Sequence, residues 1–196
     1  MRITAGKLGG RRLRVPAGDV RPTQDRVREA LFSMLAGRTA GARFLDLCAG
    51  SGAVGIEAWS RGAALVWFVE RNRRVLSVLK SNVATLCPRG DVRVVAADAL
   101  SFARRFEPGR HGGFDLVFCD PPYRRTARPP RGADGREGPG WSTKLLAALA
   151  EGEVVTDGGR VIVEVQAGAP DELPTGWERL NERRYGGSCL RFYRRA

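Results

Sequence analysis

The sequence predicts an α/β fold, a doubly wound and mainly parallel sheet of seven strands that ends in an antiparallel hairpin, with a small β-hairpin extension at its N-terminus. Three observations predict it. Five short, almost continuously apolar runs alternate with helical periodicity between residues 43 and 166, as parallel strands do when crossover helices cover both faces of their sheet. Two further strand-like runs are joined by Gly186-Gly187, a tight-turn signal. Ahead of residue 23 the apolar positions are too few to build a core of their own.

Taken in order, residues 2–15 alternate weakly around Gly6 and Gly9-Gly10, with Ile3, Leu8, Leu13 and Val15 apolar, and are expected to form a glycine-turned hairpin ending at Pro16. From Thr23 the period changes to that of an amphipathic helix, carried by Val27, Ala30, Leu31, Met34 and Leu35, capped by Thr23 and ended by Gly37. This helix is expected to pack on the main domain and carry the hairpin out from it. Buried strands follow at 44–48, 64–69, 92–96, 114–118 and 160–165, with helices at 53–61, 73–86, 99–106 and 142–151 between them. Strands at 177–185 and 188–194 complete the sheet. The chain therefore divides into a basic N-terminal hairpin, residues 1–20, and one α/β domain, residues 21–196. The stretch 124–140, rich in Arg, Pro and Gly and without periodicity, reads as a loop.

Lys and Arg number 33 against 21 Asp and Glu, a formal net charge of +12, and only Lys7, Lys80 and Lys144 are lysine. Arginine's planar fork grips phosphate and stacks on bases, so the excess points to a polyanion partner. Three clusters carry it: residues 1–28, residues 124–136, and residues 179–195. No apolar run is long enough to span a bilayer, and the first residues lack a signal-like stretch, so a cytoplasmic protein with no membrane partner is expected. Cys48, Cys87, Cys119 and Cys189 stand singly and His111 is the one histidine, which speaks against a disulfide framework and a metal site. They read as reduced packing thiols, and His111 as a loop residue. A monomer is the default expectation.

Gly50, Gly52 and Gly55 match G-x-G-x-x-G directly after a strand, a pattern that lets backbone turn tightly beside a nucleotide. Glu70 closes the next strand 20 residues beyond Gly50, where a carboxylate can accept from both hydroxyls of an adenosine ribose. Asp46, before the glycines, either faces an ammonium group or orders the loop. Asp98, after the third strand, either accepts from an adenine amine or caps the following helix. The candidate cofactor-binding set is Asp46, Cys48, Ala49, Gly50, Ser51, Gly52, Glu70, Arg71, Asp98, Ala99 and Asp120. The two aspartates favour S-adenosyl-L-methionine over NAD.

Cys119-Asp120-Pro121-Pro122-Tyr123 follows the fourth strand, at the carboxyl edge where open α/β sheets bind ligands. An exocyclic amine on a nucleobase is a poor nucleophile because its lone pair is delocalised into the ring. The Asp120 carboxylate and the Pro121 carbonyl can accept its two N–H groups, favouring a pyramidal nitrogen, while Pro122 stiffens the backbone and Tyr123 offers a stacking face. These four are the candidate catalytic residues, and in-line methyl transfer the reaction. A mainly parallel sheet ending in an antiparallel hairpin also fits a Rossmann-like class I methyltransferase better than a dehydrogenase.

With these motifs the sequence resembles the bacterial small-subunit rRNA guanine-N2 methyltransferases of the RsmD type, whose target is guanine 966 of 16S rRNA. The resemblance runs nearly end to end, through Gly9-Gly10-Arg11, the block from Arg21 to Phe32 (Arg-Pro-Thr-Gln-Asp-Arg-Val-Arg-Glu-Ala-Leu-Phe), Leu45 to Gly52, and Asp120 to Tyr123. It implies S-adenosyl-L-methionine as methyl donor, the product S-adenosyl-L-homocysteine, and 16S rRNA in an assembled or assembling 30S ribosomal subunit as partner. It also implies that Thr23 and Arg26 face cofactor or target, whereas Arg28 and Glu29 are read equally well as a surface pair. Arg11, Arg12, Arg14, Arg21, Thr23, Arg26, Arg124 and Arg125 form the candidate RNA-binding set. The sequence departs from the family at Cys48, where Phe is common, and in its long arginine-rich insertion after Tyr123.

Three rivals stand beside this reading. An amino methyltransferase acting on DNA adenine or cytosine, or on a protein amide, would use the same D-P-P-Y chemistry. An NAD-dependent oxidoreductase would leave Asp120 to Tyr123 without a role. A non-catalytic RNA-binding assembly factor would keep the fold alone.

Overall fold

A computed structural model describes residues 1–16, 25–88, 90–109, 112–121 and 140–196. Apart from the fifth strand, the expected strands and helices from residue 25 onward are present with their ends shifted by a residue or two. The strands are β1 (Arg43–Leu47), β2 (Leu65–Glu70), β3 (Val92–Ala96), β4 (Phe114–Cys119), β5 (Val155–Gln166), β6 (Trp177–Tyr185) and β7 (Ser188–Arg195). The helices are α1 (Asp25–Met34), α2 (Ala53–Ser60), α3 (Arg73–Leu86), α4 (Ala99–Arg104) and α5 (Trp141–Glu151). They build one seven-stranded sheet of order β3-β2-β1-β4-β5-β7-β6. The first five strands run parallel, and β7 lies antiparallel between β5 and β6.

The alternation of side chains along these strands explains the two-faced core. Phe44, Val66, Phe68, Leu116, Phe118 and Ile162 face one side with Leu31, Phe32, Ile56 and Leu79 of the helices packed on them. Leu45, Leu47, Trp67, Val117 and Val163 face the other, covered by Ala103, Leu145 and Leu149. There Trp67 meets Phe106 and Phe114 edge-on, at ring-centroid distances of 6.1 and 5.5 Å. β5 starts five residues before the expected strand because Gly158-Gly159 break its apolar run without ending it. The β4–β5 register shifts there, between Phe114 and Leu116. No helix among the described residues is long and apolar enough to cross a membrane.

The N-terminal segment departs from expectation. It does turn back on itself, through a single 3-10 turn (Gly6–Leu8) and an antiparallel bridge between Arg2 and Arg12. It is not carried away from the domain, however. Ile3 and Leu13 are buried in the main core, and Glu57 of α2, fully buried, accepts from Thr4 N, Thr4 Oγ1 and Ala5 N at 2.7–3.0 Å. Leu8 N donates to Ser60 Oγ at 2.9 Å. Arg28 is likewise no surface residue: it is fully buried on α1, donating to the Arg2 carbonyl and pairing with Asp25, while Glu29 is exposed. The expected division between residues 20 and 21 lies outside the described residues.

Candidate functional site

The site forms along the carboxyl edge of β1, β2, β3 and β4. Apolar β1 and β4 pair in register to Leu47 and Cys119, so the chain leaves both strands side by side. Cys48 and Asp120 are the next residues of each. The glycine turn that follows β1 is built from left-handed backbone: Cys48 (φ 60°), Gly50 (φ 58°) and Gly52 (φ 82°). Close approach calls for glycine at Gly52 again and at Gly55. A Cβ on Gly52 would lie 2.6 Å from Leu79 Cδ1, and one on Gly55 would lie 2.3 Å from the Phe68 ring. The motif thus presses α2 against β2 and α3 while turning loop backbone toward the sheet edge.

Asp46 is buried at the end of β1 and its Oδ2 accepts from Gly55 N at 2.8 Å. Of the two roles open for it, this contact is that of a loop-ordering carboxylate. Burial pushes its carboxyl up to about 7, the Gly55 amide opposes this, and the Glu70 charge adds to it. Glu70 stands as expected at the end of β2, with Oε2 accepting from Gly50 N (3.0 Å) and Oε1 from Asn72 N (2.7 Å). Each oxygen keeps lone pairs beyond the one its amide occupies. Asp98 caps α4, its Oδ1 accepting from Leu100 N and Ser101 N at 3.1 and 3.3 Å. Its Oδ2 lies 3.6 Å from exposed Arg71. Ala99 is buried as the first residue of α4, and Ala49 and Ser51 are buried in the glycine turn.

Cys48 and Cys119, apart in sequence, are neighbours in space. Burial first, then the Cys48 thiol and the Asp120 and Asp46 carboxylates, hold the Cys119 thiol well above its usual range. It is a protonated packing group at the floor of the edge. Asp120 is half-buried and Pro121 buried. Pro122, Tyr123, Arg124 and Arg125 lie outside the described residues, as do Arg21, Thr23 and His111. Among the RNA-binding candidates, Arg11, Arg12, Arg14 and Arg26 are exposed.

Two residues that the sequence reading passed over shape this region. Glu57 anchors the N-terminal segment on α2. Asn82 of α3, 3% exposed, donates through Nδ2 to Ser51 O inside the glycine turn at 2.9 Å. The available signal was a polar residue at a core-facing helical position: Asn82 follows Val75 and Leu79 on the apolar stripe of α3.

The family model described as conserved hypothetical protein 95 matches residues 1–194. The chain is 37% identical over its whole length to Ribosomal RNA small subunit methyltransferase D of Escherichia coli strain K12, covering 90% of that protein. It is 32% identical to the protein of the same name from Haemophilus influenzae, over 98% of this chain and 93% of the relative. A solved Escherichia coli chain superposes with a TM-score of 0.79 at 35% identity, over 100% of this chain and 97% of that one.

Proposed function

The chain belongs to the family described as conserved hypothetical protein 95, and from that premise we propose that it is an S-adenosyl-L-methionine-dependent methyltransferase of 16S rRNA. Its acceptor in this reading is the exocyclic N2 of a guanine, of the guanine 966 type, in a 30S subunit assembled or being assembled. The observation that carries the reading is the register of β1 and β4. It sets the glycine turn and Asp120-Pro121 side by side at one sheet edge, which supports a cofactor site and an amine-binding site that would share a boundary.

The edge fits the cofactor by the chemistry of its donors. The left-handed turn at Cys48, Gly50 and Gly52 gives a close backbone approach, Glu70 retains acceptor capacity for ribose hydroxyls, and Asp98 stands beyond β3. Asp46, Cys48, Ala49, Ser51, Arg71 and Ala99 would complete the enclosure. When bound, S-adenosyl-L-methionine supplies an electrophilic methyl group.

Everything else is the work of the chain. The Asp120 carboxylate and the Pro121 carbonyl accept the two N–H groups of the guanine amine and turn its lone pair toward the cofactor site. Holding that nitrogen in line is worth up to roughly 7–11 kcal/mol of the barrier. Asp120 then takes the proton that nitrogen loses and passes it to water. Tyr123 stacks on the base, which must leave its helix to reach the edge. Arg11, Arg12, Arg14 and Arg26 on the described surface, with Arg21, Thr23, Arg124 and Arg125, hold the surrounding rRNA, and residues 1–20 act as a basic arm of the domain that follows.

The deciding experiment is transfer from labelled S-adenosyl-L-methionine to small subunits lacking the modification, with free 16S rRNA, duplex DNA and protein as parallel acceptors, followed by nucleoside analysis. N2-methylguanosine in the subunit is the expected product. Label in DNA or protein would move the acceptor and keep the chemistry, and cofactor binding without transfer would leave an assembly factor. If the arm and its neighbours neutralise about six phosphates, particle affinity falls about a thousandfold between roughly 50 and 200 mM salt.

A further inference from the structure

We propose that Asn82 is a positioning residue that couples the basic N-terminal arm to the glycine turn, so that polyanion bound along the arm changes the turn's affinity for its cofactor. This inference rests on the function proposed above and adds to it a route by which the two substrates sense each other.

The route is a single buried side chain. Asn82 Oδ1 accepts from Arg14 N at 3.0 Å, and Nδ2 donates to Arg14 O at 2.8 Å. The carboxamide thus pairs with both backbone groups of Arg14 as a neighbouring strand would. The same Nδ2 donates to Ser51 O, between Gly50 and Gly52. One rigid amide therefore touches the arm and the cofactor turn, whose residues 14 and 51 share no sequence neighbourhood. Arg14 itself is exposed, and its Nη1 reaches Ser81 Oγ, beside Asn82, at 3.3 Å. A phosphate drawing on Arg14 pulls on the residue that Asn82 holds.

The arm's other attachments point the same way. Glu57 and Ser60 fix residues 4–8 on α2, the helix that the glycine turn opens, so the arm straddles α2 and α3 on either side of the turn. Among its described residues, Ile3 and Leu13 are buried in the core and Met1 and Leu8 pack against it, and the rest of the hold is polar. An element held this way shifts more readily than one sealed by a large apolar face. Coupling is reciprocal: if RNA on the arm tightens the cofactor, the cofactor tightens RNA by the same factor.

The test measures binding, not turnover. Labelled S-adenosyl-L-homocysteine, which cannot donate a methyl group, is titrated by equilibrium dialysis with and without saturating small subunits that lack the modification. Wild type, Asn82→Asp, Asn82→Ala and Arg14→Ala are compared, and thermal unfolding is followed for each. Wild type is expected to bind the homocysteine compound about fivefold or more tightly when subunits are present. Asn82→Asp, isosteric but without the N–H donors, is expected to lose that enhancement, as is Asn82→Ala. Arg14→Ala keeps the backbone link but loses the guanidinium on which phosphate draws, so it is expected to need more subunits for saturation and to show a smaller enhancement.

A lower melting temperature with the enhancement intact would make Asn82 structural only and overturn the proposal. So would a wild-type factor of one, whatever the variants do. Failure of wild type to bind S-adenosyl-L-homocysteine at all would instead remove the cofactor reading, and this inference with it.

Discussion

The two ends of the parallel sheet use the same residue type for opposite purposes. At the amino end, Asp115 of β4 is clamped by Arg43 of β1, which donates from its backbone N, Nε and Nη2 at 2.8–3.2 Å, while Thr156 Oγ1 donates at 3.0 Å. Although burial opposes it, this set of hydrogen bonds and the Arg43 charge hold the Asp115 carboxyl below its usual range. At the carboxyl end, Asp46 and Glu70 are held by backbone amides of Gly55, Gly50 and Asn72. A carboxylate locked to a guanidinium serves cohesion. One held by the amides of a turn orders that turn and keeps acceptor capacity for a ligand.

The comparison breaks most visibly at Asp120. Asp120→Ala is expected to lower kcat about a thousandfold while binding of S-adenosyl-L-homocysteine weakens far less, as stopped-time transfer assays and calorimetry would show. An unchanged rate would reduce the edge to a structural feature. Next in size is the pH response of Asp46. Its folded value, about 7, lies above the unfolded value near 4. Its contribution to stability is thus full below about pH 4, is lost as pH rises toward 7, and stays level beyond. Asn in its place cannot titrate and still accepts from Gly55 N. Denaturant melts of wild type and Asp46→Asn from pH 4 to 8 are therefore expected to diverge by on the order of 3 kcal/mol. Parallel curves would contradict the burial argument.

Glu70→Ala is expected to weaken the cofactor about tenfold to a hundredfold with a modest stability loss, since two amides lose their acceptor. At the opposite end the split reverses. Asp115→Ala is expected to cost about 1 kcal/mol and leave transfer unchanged, and the cost should fade as pH drops through the carboxylate range, where the wild-type side chain is protonated too. Loss of activity in that variant would show that the two ends are not independent.

Much of this layout was legible in the chain. The strands read clearly because parallel strands buried on both faces have almost no polar interruptions, and the G-x-G-x-x-G turn and D-P-P run each follow one directly. The places that resisted were those held by contacts distant in sequence. Nothing in residues 2–15 indicates that Glu57, more than 50 residues away, receives Thr4 and Ala5, or that Arg28 turns inward to the Arg2 carbonyl. Asp46 and Asp98 each read two ways in the sequence, because a carboxylate's neighbours, not its position in a motif, decide what it accepts. The stacking role given to Tyr123, and the arginines that follow it, fall outside the described residues.

The strand order has one more consequence. It leaves β3 and β6 as the two edges of an open sheet, where unpaired amides and carbonyls invite another chain to add a strand. β3 is only five residues long with Arg93 exposed as its second residue, and β6 carries exposed Arg179, Arg183 and Arg184 beside a register shift between Arg179 and Asn181. Shortness, charge and an irregular ladder are the features that blunt such edges. Some of the arginines that make up the chain's positive charge thereby also guard the sheet against self-assembly.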